Sequence, residues 1–155
     1  MAIDKVKNFL ESINELDRLM IFEESTATVD QAAAAVGCKP GNIAKTISLL
    51  VDNKPILILL AGDVKIDNHK FKDTFKTRAK MIPIDQVEEL IGHAVGGVCP
   101  FAVNDGVPIY FDESLKRFET IYPAGGNEHS AVRLKLDELE KFINSVGWVD
   151  VSKFK

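Results

Sequence analysis

The sequence predicts an α+β domain with a mixed, largely antiparallel sheet, and three observations carry that prediction. Apolar residues recur at helical spacing in some segments and in alternating or β-branched runs in others. The two kinds of segment are interspersed without a steady strand–helix–strand alternation, which argues against a parallel α/β architecture. The 155 residues hold no repeat, low-complexity tract or Pro/Ser-rich linker, so a single domain over 1–155 is expected.

Along the chain, Ile3, Val6, Phe9, Leu10 and Ile13 form one face of a first helix over residues 3–14. A short strand is expected at Leu19–Phe22. Thr28 opens a second helix, with Gln31 completing a capping box and Gly37 stopping it. The runs Ile43–Val51 and Pro55–Ala61, separated by Asp52-Asn53-Lys54, read as a hairpin. Residues 67–76 read as a basic helix capped by Asp67, and Asp85 with Glu88 as the start of a helix ending at Gly92. Further strands are expected at Val107–Phe111, Thr120–Tyr122 and Ala131–Leu136. A last helix, capped by Asp137 and Glu140, is expected to stop at Gly147.

Composition excludes several classes. No apolar run approaches the roughly 20 residues that span a bilayer, so no membrane partner is expected. The N-terminus shows no apolar h-region, and Cys38 and Cys99 lack metal-like spacing; reduced thiols in a cytoplasmic protein are expected. The net charge of −4 argues against a nucleic-acid coat protein, and no DNA partner is expected. Charge is nevertheless uneven, because residues 63–80 hold Lys65, Lys70, Lys72, Lys76, Arg78 and Lys80 against Asp63, Asp67 and Asp73. That stretch is either a solvated helix face or a local patch able to meet phosphates.

Candidate chemistry lies where local patterns break. Strand alternation puts Lys45 on the same face as Ile43, Ile47, Leu49 and Val51. An ammonium there needs a partner, a depressed pKa or an open cleft, unless it snorkels from the strand's start. The stretch Gly92–Phe101 contains Gly92, Gly96, Gly97 and Pro100 and can aim backbone amides at one point. Such amides could hold a phosphate or an oxyanion, and a plain helix-to-strand connection would look the same. It is no P-loop, because the terminal Lys-Ser/Thr is absent. Residues 122–130 repeat the paired-glycine theme. Cys99 could be a nucleophile with His93 or His129 as base, although a buried inert thiol is the commoner case. His69, His93 and His129 lack metal-ligand spacing, so no metal is expected, and there is no Gly-x-Ser-x-Gly elbow.

These features coincide in one pattern: Asn42-Ile43-Ala44-Lys45-Thr46 before an apolar strand, Gly92-His93 leading into Gly96-Gly97-Val98-Cys99-Pro100, and Ala124-Gly125-Gly126 before strand Ala131–Leu136. The pattern covers nearly the whole chain and resembles the YbaK/EbsC family, which includes the editing domain of bacterial prolyl-tRNA synthetases and its free-standing relatives. The resemblance implies a barrel-like sheet flanked by helices. It also implies hydrolysis of the ester joining a wrong amino acid to the 3′ adenosine of tRNA, often tRNA for proline, without a cofactor. By the resemblance Lys45 is the motif lysine and Gly96 and Pro100 bound the Gly-x-x-x-Pro motif. Attack would fall to a water assisted by the substrate's own ribose hydroxyl, with the amides of Gly96, Gly97 and Val98 holding the oxyanion. Pro100, Cys99, His93, Asn127 and His129 are expected around the substrate, and an aminoacyl-tRNA synthetase is a candidate partner. Cys99 and Phe101-Ala102 depart from the family's usual residues around the proline, which leaves Ala, Cys and Ser open as the amino acid removed. The competing readings are a non-catalytic tRNA- or nucleotide-binding module of the same fold, and a Cys99 hydrolase of small esters.

Overall fold

The computed structural model of the protein describes residues 2–155. Helix α1 covers Ala2–Ser12 and its apolar stripe buries Val6 and Leu10 completely. A 3-10 turn, Leu16–Arg18, leads to β1, Leu19–Ile21. Helix α2, Val29–Val36, starts as expected: Thr28 Oγ1 accepts from Gln31 N at 3.1 Å and Gln31 Oε1 accepts from Thr28 N at 3.3 Å. Gly37 ends it in the left-handed conformation, φ 84°.

Strands β2, Ile43–Val51, and β3, Lys54–Ala61, form the predicted hairpin. Its turn sets Asp52 and Asn53 at φ 51° and 64°, which matches the strands' right-handed twist. Then follow β4, Val64–Ile66; α3, Asn68–Phe75, with Asp67 capping Lys70 N; β5, Lys80–Met81; and α4, Ile84–Ile91. The C-terminal half supplies β6, Ile109–Asp112; β7, Thr120–Pro123; β8, Ser130–Val132; and β9, Leu134–Lys135. The chain closes with α5, Leu139–Phe142; β10, Gly147–Val149; and β11, Ser152–Phe154.

The main sheet runs β10-β6-β3-β2-β7-β9, with β5 also against β2, and curls into a half-barrel flanked by helices. It is mixed: β10/β6, β6/β3 and β7/β2 are parallel, while β2/β3, β2/β5 and β7/β9 are antiparallel. Antiparallel ribbons β1–β8 and β4–β11 complete the fold. Strand β3 lies at the centre and Ile56–Ala61 are buried without alternation, as expected for a strand covered on both faces. Among the described residues no helix is long and apolar enough to cross a membrane.

Several boundaries differ from the sequence reading. Asp85 does not cap α4; the N-cap is Pro83, two residues earlier, with no side-chain cap. The strand expected over Ala131–Leu136 divides at Arg133, whose N–H goes to Arg18 O at 3.0 Å, and its halves join different sheets. The last helix shrinks to a 3-10 turn, Leu136–Glu138, and the single turn α5; Gly147 opens β10 rather than ending a helix. Strands β4, β5, β10 and β11 carry two or three residues each, too few for any periodicity to announce them.

Candidate functional site

The site begins with an interruption in sheet pairing. One edge of β2 is paired along its length with β3. The other edge meets β7 only at Ile43 and Ala44, and β5 only at Leu49 and Leu50. Between them that edge has no strand partner among the described residues, and only the Ile82 N–H reaches Ser48 O, at 3.4 Å. A cleft of about 380 Å³ fills the gap. Because it opens along the strand's edge, consecutive residues from Ile43 to Ser48 line it, rather than the alternate residues of one face. Its remaining wall comes from the start of α2, from Ile84 and Val87 of α4, from the loop after α4, and from Tyr122, Ala124, Ser130 and Ala131.

Lys45 supplies the cleft's cation. It is half-buried, and its Nζ donates to the Val64 carbonyl. Loss of water lowers its pKa to about 8; the nearby Lys155 charge pushes the same way, and the Asp63 carboxylate opposes it. Asp63 is itself gripped by Arg117, whose two nitrogens stand 3.0 and 2.6 Å away, and that bond holds its carboxyl below the usual range. Beside Lys45, Thr46 Oγ1 is buried in the cleft wall with no hydrogen-bond partner among the described residues. Thr46 belongs to the Asn42–Thr46 motif, but alternation along β2 turns it to the face opposite Lys45, and the sequence reading gives it no role of its own.

The loop between α4 and β6 brings Val95, Gly96 and Val98 to the cleft. Gly96 holds φ +92°, and a Cβ on Gly97 would stand 2.7 Å from the Asn127 and Gly126 backbone. The two paired-glycine segments are therefore packed against each other, backbone to backbone. The Gly97 N–H is committed to Ala94 O at 3.1 Å, which removes it from the expected set of oxyanion donors. Gly96 and Val98, the other two expected donors, are residues of the cleft lining.

Other candidate residues fall behind this wall. Cys99 and His93 have no exposed surface, Pro100 is buried, and none of them lines the cleft. His93 Nε2 donates to Phe101 O at 2.6 Å, and Cys99 Sγ stands 3.5 Å from the same nitrogen and 3.7 Å from the same carbonyl. Burial pushes the thiol up to about 12 and lowers the His93 pKa, so both groups are neutral near pH 7. Asn127 and His129 are also absent from the lining: Asn127 Oδ1 accepts from His129 N at 2.9 Å, and His129 Nδ1 bonds Glu24 O at 3.0 Å. These bonds hold the second turn in shape.

None of the six basic candidates lines the cleft. Lys70 is taken up by Asp150 Oδ1 at 3.1 Å and Ser152 O at 2.8 Å, and Lys76 by Asp73 O at 2.8 Å. Lys65, Lys72, Arg78 and Lys80 are exposed.

The chain is 42% identical over 154 residues to the uncharacterized protein YwhH of Bacillus subtilis (strain 168), covering 99% of this chain and 98% of that one. It is 28% identical over 121 residues to proline–tRNA ligase of Streptococcus sanguinis (strain SK36), covering 75% of this chain and only 19% of the ligase. A crystal structure described as a candidate trans-editing enzyme for prolyl tRNA synthetase superposes with a TM-score of 0.87 at 27% identity, over 98% of this chain and 97% of that one. The profile of the aminoacyl-tRNA editing domain matches residues 23–142, so the chain belongs to the aminoacyl-tRNA editing domain family.

Proposed function

We propose that the protein is a trans-acting deacylase that hydrolyses the ester of mischarged aminoacyl-tRNA, with tRNA for proline carrying Ala, Cys or Ser as the substrate class. The observation that carries this reading is that a desolvated Lys45 and the loop residues Gly96 and Val98 line one largely apolar cleft. Family membership supports an editing role, and the similarity to proline–tRNA ligase and to a candidate trans-editing enzyme for prolyl tRNA synthetase supports the choice of tRNA.

In this mechanism the amino-acid moiety enters the cleft and its ester carbonyl lies between Lys45 and the loop. A water, deprotonated with help from the substrate's ribose hydroxyl, adds to the carbonyl carbon. The oxyanion that forms is held by the Gly96 and Val98 amides and by the Lys45 charge. The carbon–oxygen bond to the ribose then breaks, the ribose oxygen takes up a proton, and free amino acid and deacylated tRNA leave. One well-placed amide donor is worth about 3–4 kcal/mol in such a transition state. Thr46, whose buried Oγ1 has no hydrogen-bond partner among the described residues, lies in the same cleft wall. The surrounding side chains select by size, which discriminates by only about 1–3 kcal/mol per methylene.

The Cys99 hydrolase reading loses ground on the same geometry, because a sealed, protonated thiol cannot meet a carbonyl in the cleft. The test is a deacylation panel using tRNA for proline charged with Ala, Ser, Cys and Pro. Release of one or more of the first three, with prolyl-tRNA spared, is the expected result. Binding of all four without release of any would leave the non-catalytic module as the surviving alternative.

A further inference from the structure

The proposed cleft takes only the end of a tRNA, and a polyanion of that size needs a track leading to it. We propose that the outward face of the β4–β11 ribbon, bearing Lys65, Lys153 and Lys155, docks the phosphates of the tRNA acceptor strand and delivers its 3′ end to Lys45. This inference rests on the tRNA reading above and adds to it the surface that recognises the strand.

The ribbon's register places Lys65 directly opposite Lys153. Bonds from Lys155 N to Asp63 O, 3.3 Å, and from Asp67 N to Val151 O, 2.8 Å, flank this pair and fix its alignment. Val64 and Ser152, one position away on each strand, are buried, so alternation turns both lysines to solvent, and both are exposed. Like charges directly across a ladder weaken pairing, so nothing in the fold's own stability accounts for the arrangement. The carboxylates at either end of the lysine face have other duties. Asp63 binds Arg117, and Asp67, which feels the Lys153 charge, caps α3 through Lys70 N at 3.1 Å. The face therefore keeps an excess of positive charge.

Position ties the ribbon to the site. Strand β4 starts at Val64, whose carbonyl receives the Lys45 ammonium, and Lys155 lies close enough for its charge to act on Lys45. The cations thus run from Lys65 and Lys153 through Lys155 toward Lys45. The track is also rigid. The buried Asp112 carboxylate accepts from Val151 N at 2.9 Å and Ser152 Oγ at 2.7 Å, which pins the start of β11 to the main sheet. By contrast, α3 has already committed Lys70 and Lys76 to internal bonds.

The test measures the affinity of the full chain for uncharged tRNA across a salt series. Uncharged tRNA carries no ester, so the result reads docking whether or not the protein hydrolyses anything. The double variant Lys65→Glu/Lys153→Glu is expected to bind at least about tenfold more weakly and to flatten the log K against log salt slope by about 1.4, the loss of two single-strand phosphate contacts. The milder Lys65→Gln/Lys153→Gln pair should fall between it and wild type. The Glu pair should melt with wild type, since the lysines are exposed and the like-charge pairing is kept, and the Gln pair at or slightly above it, since that repulsion is gone. An unchanged affinity and slope would overturn the proposal. So would a loss of binding confined to the Lys72→Glu/Arg78→Glu/Lys80→Glu variant, which would move docking to the α3 side.

Discussion

Lys45 and Cys99 each interrupt an apolar stretch of chain, and the fold handles the two in opposite ways. Lys45 stands at an unpaired strand edge, half-buried, with its ammonium aimed at one carbonyl and an open cleft beside it. Cys99 is sealed behind the glycine loop beside an equally sealed His93. Burial penalises both charged forms, but it lowers the lysine only to about 8 and drives the thiol up to about 12. Near pH 7 the lysine is thus mostly a cation in the cleft wall, and the cysteine is a neutral packing group. The difference separates a charged group at the cleft from a neutral one packed behind its wall.

Removing the cation is the most direct way to break this contrast. Lys45→Ala should lower kcat/KM for a mischarged tRNA by about 100- to 1,000-fold, the range for deleting one group that stabilises a developing oxyanion. The fold should survive, because the substitution takes a poorly hydrated charge out of a half-buried place. Circular dichroism and a melting curve would check that point. Wild-type turnover in a folded Lys45→Ala protein would remove Lys45 from the mechanism.

The next effect is graded by pH. If the protonated ammonium is the working form, activity holds below pH 8 and falls up to tenfold per unit above it, after subtraction of spontaneous ester hydrolysis. Lys45→Arg keeps its charge throughout this range, so whatever activity it retains should lack that decline. Stability gives a second reading with a definite sign. The folded pKa lies below the unfolded value, so between about pH 8 and 10.5 the unfolded chain binds more protons. Wild type should therefore gain stability relative to Lys45→Met as pH rises through that window. Parallel stability curves for the two proteins would mean that Lys45 is not desolvated.

How much of this was legible in the sequence follows from the range of the forces involved. The α2 capping box, the Asp52-Asn53 hairpin turn and the Asp67 cap are decided by neighbours in the chain, and each forms as its residues predict. Lys45 stood out for a related reason, since alternation along a nine-residue strand is a local signal. The cleft itself is non-local. It exists because β7 and β5 pair with opposite ends of one β2 edge, and no local pattern encodes that gap. Thr46 was missed on the same account, because a cleft along an edge admits residues of both faces. Gly97 shows the converse: its type suggested a free amide, and only the fold reveals the bond to Ala94 and the contact with Asn127 that explain the glycine. Ribbon β4–β11 joins residues nearly ninety positions apart through strands of three residues each, below the length at which a pattern can speak.

The smallest expected effect sharpens the contrast from its other side. Cys99→Ala should leave deacylation within about twofold of wild type, since the thiol neither lines the cleft nor ionises near neutral pH. It should still cost about 1–2 kcal/mol of stability, because a fully buried side chain is cut back and its sulfur contacts to His93 and Phe101 are lost. A melting curve paired with the deacylation assay separates the two quantities. In the native protein the thiol should also resist iodoacetamide until the chain unfolds, because the reactive thiolate is suppressed and access is closed. Alkylation of Cys99 in the folded protein, with parallel loss of turnover, would put the sulfur in the reaction and reverse the assignment. Activity that persists while stability falls would instead assign Cys99 to the wall behind the loop, and leave the chemistry to the lysine across the cleft.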